Sequence, residues 1–223
     1  MSYTRYAIYY LPPEGALASL GAAWLGWDCV AGREVVQPDV PLMERITRKP
    51  RKYGFHGTLK PPFRLDDGME VDELKSAMAL MAQTCAPAQS NGLRLTCLGR
   101  FLALTLIGDT QGIARVAATC VEALDHFRAP LTEADLVQRR KARLTDQQDA
   151  LLRRWGYPFV MEEFRFHLTL TGRLPVDQIE AWTQTAQAYL PSLPEPFVLE
   201  AVALVGERPD GRFELIERVP LSG

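Results

Sequence analysis

Three histidines occur in the 223 residues, and two of them sit in the same frame, His56-Gly57-Thr58-Leu59 and His167-Leu168-Thr169-Leu170. With 14 Thr and 30 Leu in the chain, a given histidine meets that frame by chance slightly under about one time in a hundred. Imidazole titrates near neutral pH and can both take and give a proton. A hydroxyl two residues further on can hydrogen-bond an oxyanion as charge develops on it. The pair predicts acid–base chemistry at something like a phosphate. One histidine would remove a proton from the attacking oxygen, and the other would supply one to the leaving oxygen.

In a strand, residues i, i+2 and i+4 share a face. Read as strands, the first motif puts His56, Thr58 and Lys60 on one face and Phe55, Gly57 and Leu59 on the other. The second puts Arg165, His167, Thr169 and Thr171 against Phe166, Leu168 and Leu170. Each strand thus has an apolar face for a core and a polar face for a cleft. The polar faces carry imidazoles, hydroxyls and cations and no carboxylate, which favours an anion. Lys60, Arg165 and Thr171 are candidate contacts on that basis, and Tyr53 lies close enough in sequence to line the cleft. No His-x-His, no helical Glu-x-x-His and no acid on either polar face completes a metal ligand set. The expected chemistry therefore needs no metal and no cofactor.

The elements that must position these residues follow from patterning. Strands are predicted over 3–10, 56–60, 93–97, 101–107, 164–171, 197–205 and 213–219. Helices are predicted over 14–24, 71–85, 111–127 and 176–190, with a long polar helical stretch over 132–154. The segment 27–52 reads as loop with one short helix, and Pro61-Pro62 should stop the first motif strand. Thr132-Glu133-Ala134-Asp135 approximates a capping box, although the box proper ends in Glu or Gln. Each motif strand is followed by a helix and then a hairpin, so the chain reads as two similar α+β halves.

Composition bounds the rest. Hydrophobic content of 47%, charged content of 23% and a net charge of −2 describe an ordinary globular chain. They argue against a general grip on long nucleic acid. The run Arg139-Arg140-Lys141-Ala142-Arg143 reads as a solvated helix face offset by nearby acids, from which Arg140 or Arg143 could reach a cleft. No cysteine pair is spaced as Cys-x-x-Cys, so four reduced thiols are expected. The first eleven residues read as a strand and not as a leader, and no apolar run approaches bilayer length. A cytoplasmic protein without membrane contact is expected.

The strings Tyr53-Gly54-Phe55-His56-Gly57-Thr58-Leu59-Lys60-Pro61-Pro62-Phe63 and Phe164-Arg165-Phe166-His167-Leu168-Thr169-Leu170-Thr171 resemble the 2H phosphoesterase superfamily. Within it they are most similar to the DUF1045 branch, found with phosphonate-utilisation (carbon–phosphorus lyase) operons. Leu131 to Asp135 and Trp155-Gly156-Tyr157-Pro158 are also similar to that branch. The resemblance implies an α+β, two-lobed, LigT-like fold. In such a fold two pseudo-symmetric halves of antiparallel strands, with outer helices, surround a central cleft. It implies one domain over 1–223, with a helical insertion near 132–156 that could cap the cleft. It also implies a metal-independent phosphodiesterase whose functional positions fall on His56, Thr58, His167 and Thr169. A cyclic ribose phosphate or other small phosphate ester is the substrate class it suggests. Processing of 2′,3′-cyclic or 2′–5′-linked RNA ends is an alternative, as is a non-catalytic phosphate- or nucleotide-binding module. The oligomeric state and the order of base and acid are left open.

Overall fold

The computed structural model describes residues 3–223, so Met1 and Ser2 of the expected first strand lie outside it. Among the described residues, eleven strands and seven α-helices form an α+β arrangement. Strand β1 (Tyr6–Tyr10) is buried along its whole length and lies inside a seven-stranded antiparallel sheet. The sheet also contains β4 (Gly57–Phe63), β6 (Gly92–Leu98), β7 (Phe101–Ile107), β8 (His167–Thr169), β10 (Ala201–Glu207) and β11 (Phe213–Pro220), in the order β11-β10-β1-β4-β8-β7-β6. Ile8, Leu59, Leu102, Leu104, Leu168 and Leu204 point into the main core. Helices α1 (Ala16–Leu25), α3 (Val71–Ala82), α4 (Gln111–Ala123) and α7 (Ile179–Tyr189) add Trp24, Leu74, Met78, Ile113 and Trp182 to the same core. The alternate residues of β1, Ala7 and Tyr9, enter a smaller cluster with Trp27, Val205 and Phe213. That second burial explains why β1 carries no polar alternation.

The two halves interlock. Each motif strand is followed by a helix and a hairpin, as the pattern implied, but each hairpin extends the other half's side of the sheet. The β6–β7 hairpin, which follows the first motif, pairs with β8. The β10–β11 hairpin, which follows the second motif, pairs with β1 beside β4. The expected strand over 197–205 is two strands: β9 (Phe197–Leu199) turns away to pair with β5 (Ala88–Ser90), and β10 begins after Glu200. The two motif strands meet at a single position, Gly57 opposite Leu168. A side chain at residue 57 would bring a Cβ within 2.5 Å of the Phe166 ring, so this junction requires glycine.

Three further expectations are corrected. Strand β4 does not stop at Pro61-Pro62 but runs through them to Phe63. A one-residue register shift against β1 absorbs them, since Ile8 faces Lys60 while Tyr6 faces Phe63. The other edge of β4 pairs only at Gly57, so the missing proline N–H groups interrupt no ladder there. The second motif strand shrinks to three residues, with a 3₁₀ turn over Met161–Glu163 just before it. The polar stretch 132–154 is two helices, α5 (Glu133–Arg140) and α6 (Asp146–Trp155). They are broken where Arg143 adopts a left-handed φ of 53°. Both begin with complete capping boxes, Thr132/Asp135 and Thr145/Gln148, so aspartate closes the first box after all. Leu151 seats α6 against Val121 and Val160. In the segment before the first motif lie a short pair, β2 (Trp27–Asp28) with β3 (Arg33–Glu34), and helix α2 (Met43–Arg51).

Candidate active site

Helix α2 delivers the chain to a turn at Gly54, whose φ of 72° suits glycine. The turn aims the Gly54 carbonyl at His56 Nδ1, 2.9 Å away. A carbonyl only accepts, so Nδ1 carries the proton and Nε2 is the free lone pair. Nε2 lies 3.0 Å from Thr58 Oγ1. The imidazole stacks on the Tyr9 ring at 3.7 Å between centroids. Burial pushes the His56 pKa down to about 4; the Gly54 carbonyl opposes the shift and the charge of His167 adds to it. His56 is therefore neutral at neutral pH.

His167 repeats the device. Its Nδ1 lies 2.7 Å from the carbonyl oxygen of Arg165, again two residues back, which leaves Nε2 free. Phe101 stands beside its ring at 5.8 Å. The antiparallel pairing of Gly57 with Leu168 sets the relation between the motifs. One step outward in that register, His56 falls beside Thr169 and Thr58 beside His167. Directly paired neighbours on one sheet face have Cβ atoms about 4.5–5.5 Å apart. Continued one residue to either side, that register sets each imidazole across from the other motif's threonine, and His56, Thr58 and Thr169 line one cleft. Leu168 and Phe166 turn the opposite way into the core, as the alternation required.

A cleft of about 270 Å³ opens over His56, Thr58 and Thr169 and is lined as well by Tyr9, Tyr53, Pro61-Pro62, Arg5, Arg139 and Tyr157. None of these lining side chains is a carboxylate. Tyr53 lines this cleft with its ring 6.1 Å from His56.

Three expected contacts stand apart from the cleft. Lys60 is buried under the end of α4. Its Nζ donates to the Val121 carbonyl at 3.1 Å and to Asp125 at 3.3 Å. Burial lowers its pKa to about 8, against the pull of Asp125. Thr171 is buried and its Oγ1 accepts from the Leu102 N–H at 2.9 Å. The Arg165 guanidinium folds back onto the carbonyls of Glu162 and Phe164. Arg165 serves the site through its own carbonyl, which holds His167.

Sequence reasoning missed Arg5, Tyr9, Arg139 and Tyr157. Tyr9 lies in β1 and Arg5 just before it, and nothing local shows that β1 runs beside β4. Within 139–143 it is Arg139 that reaches the cleft; Arg140 is paired with Asp149 at 2.7 Å. The segment Arg48-Lys49-Pro50-Arg51-Lys52, just before Tyr53, is a second basic run that the composition argument overlooked. Arg48 and Lys49 are exposed, and the Lys52 ammonium lies 4.5 Å from the Tyr53 ring centroid. Among the described residues no helix is long and apolar enough to cross a membrane.

The sequence model of a family described as "Protein of unknown function (DUF1045)" matches residues 58–214. A protein of Janthinobacterium sp. (strain Marseille), named ribose 1,5-bisphosphate phosphokinase PhnN, is 37% identical over 238 residues, covering 100% of this chain and 52% of that protein. One of the same name from Laribacter hongkongensis (strain HLHK9) is 33% identical over 196 residues, covering 83% and 44%. The chain spans about half the length of the curated relatives it matches. Among solved structures, E. coli LigT complexed with 3′-AMP is similar at a TM-score of 0.47 and 13% identity, with both chains fully covered. LigT in apo form is similar at 0.45 and 14%, again with full coverage.

Proposed function

The chain belongs to the DUF1045 family, and from its cleft we propose that it is a metal-independent phosphodiesterase acting on a cyclic phosphate or small phosphodiester by two-histidine acid–base catalysis. One observation carries this reading. Both histidines have Nδ1 tied to the carbonyl two residues earlier. Both therefore keep Nε2 for chemistry, on one face of adjoining strands, beside a cleft lined by no carboxylate. His56, neutral at neutral pH, acts as the base. Its Nε2 takes a proton from water as the water oxygen bonds to phosphorus. The ester P–O bond breaks on the opposite side, and the leaving oxygen takes a proton from Nε2 of His167 in its imidazolium form, which becomes neutral while its Nδ1–H stays on the Arg165 carbonyl. Thr58 turns its hydroxyl from His56 to a non-bridging oxygen, and Thr169 donates to another.

The name shared by the curated relatives, a kinase for a pentose bearing two phosphates, supports a cyclic phosphate of a phosphorylated sugar. It accords with a place in phosphonate metabolism, which the motif resemblance implies. The basic run before Tyr53 favours a second reading, in which an RNA end with a 2′,3′-cyclic or 2′–5′ linkage is the substrate.

Chelator-treated protein offered ribose cyclic phosphates and 2′,3′-cyclic nucleotides tests the proposal. Turnover should survive the chelator and fall by about 10²–10⁴-fold in His56→Ala and in His167→Ala. Activity that persists in either variant, or that vanishes with the chelator, would overturn the mechanism. Binding without turnover of any substrate would replace the enzyme by a phosphate-binding module.

A further inference from the structure

The cleft adjoins a crevice lined by Arg5, Arg64, Arg128, Asp135 and Arg139, with Arg5, Pro62 and Arg139 shared between the two. Three of these guanidinium groups are already committed. Arg5 forks onto Glu207 at 2.6 and 2.5 Å, Arg64 pairs with Asp135 at 2.6 Å, and Arg128 forks onto Asp125 at 2.8 and 2.9 Å. Arg139 has no carboxylate in ion-pair range among the described residues. It lies instead with its guanidinium carbon 5.2 Å from the Tyr157 ring centroid. Burial and the charges of Arg5 and Arg64 disfavour its cation, and Tyr157 and Asp135 favour it. A half-buried guanidinium that faces like charges and lacks a counter-ion is stabilised by whatever anion enters beside it.

Arg5 and Arg139 stand at the junction of the two spaces: both line the cleft over His56, Thr58 and Thr169, and both line the adjoining crevice, which contains neither histidine and neither motif threonine. An ester seated on the histidines can therefore extend a second anionic group past Arg139 into that crevice. We propose that Arg139, presented by α5 and backed by Arg5, is a specificity-determining residue that binds a second, non-reacting phosphomonoester of the substrate. The assignment rests on the two-histidine reading of the cleft. It places the substrate among cyclic phosphate esters of sugars that carry another phosphate.

The test compares ribose 1,2-cyclic phosphate with and without a 5-phosphate. Wild-type protein should favour the 5-phosphorylated ester by about tenfold or more in kcat/KM, mainly through KM, as a charge-assisted forked contact implies. Arg139→Gln should bring the ratio of the two esters close to one, and Arg139→Lys should restore part of it. Arg153→Gln, an exposed change on α6, should keep the wild-type ratio and so control for altered surface charge. A wild-type preference retained in Arg139→Gln overturns the proposal, as does an equal loss on both esters. If neither ester is turned over, the parent reading fails, and calorimetric binding of the same pair to wild type and Arg139→Gln decides the subsite. Tighter binding of the 5-phosphorylated ester that disappears in the variant upholds it, and equal binding overturns it.

Discussion

The environment of His56 makes its protonation a stability question as well as a catalytic one. Its folded-state pKa is about 4 against an ordinary 6.5, with burial as the main cause. Between those values the unfolded chain binds a proton that the folded chain does not. The contribution is therefore intact above about pH 6.5 and is lost as the pH falls through 4, by ~3 kcal/mol in all. Urea midpoints at pH 7 and pH 5 should drop more in wild type than in His56→Gln, and equal drops in the two proteins would remove this account. At the same scale, Thr58 and Thr169 were legible because their i+2 placement is a local property of a strand. Lys60 was not. Its charge and alternation marked it for the cleft, but its neighbours Val121 and Asp125, some sixty residues away, cover it. Arg165 was singled out for its guanidinium, while its main-chain carbonyl does the orienting.

Helix α5 is the element on which the second phosphate contact depends. It has no buried residue of its own. Capping at Thr132 and the Arg64–Asp135 pair therefore hold it more than burial does. Thr132→Ala should cost ~1 kcal/mol of helix stability, the usual worth of such a cap. Amide hydrogen exchange should then speed up over 133–140 and leave β1 and β4 unchanged, with KM for a 5-phosphorylated ester rising. Unchanged exchange in α5 would show that the cap is not what holds it. The polar pattern of 132–154 announced helix, and its interruption was harder to see, because only Arg143's left-handed backbone marks it. Pro61-Pro62 misled for a related reason. A proline ends a strand where a ladder bond is needed, and β4 needs none at that point.

On the scale of the whole molecule, charge separates a small substrate from a polyanion. Net charge is −2, and the cations of the crevice are mostly paired internally. Raising salt from 50 to 200 mM should lower kcat/KM by less than about fivefold, whereas a grip on 6–10 nucleic-acid phosphates would lose about 10³–10⁵. A steep salt dependence would transfer the weight to the RNA-end reading and to the basic run of α2. The sheet order has a similar global character. The repeated strand–helix–hairpin order was readable along the chain, but the exchange of hairpins between halves was not, because register and strand neighbours are set by long-range packing. By itself the sequence determined the two His-x-Thr frames, the two-sided character of each motif strand, the α+β class and the scarcity of acid near the histidines. These are local properties of residue type and period. Only the tertiary structure decided that Gly57 meets Leu168, that Tyr9 stacks on His56, and that Arg139 rather than its neighbours reaches the cleft. Each of those depends on residues distant in sequence sharing one surface, and period and composition carry no information about which distant segments meet.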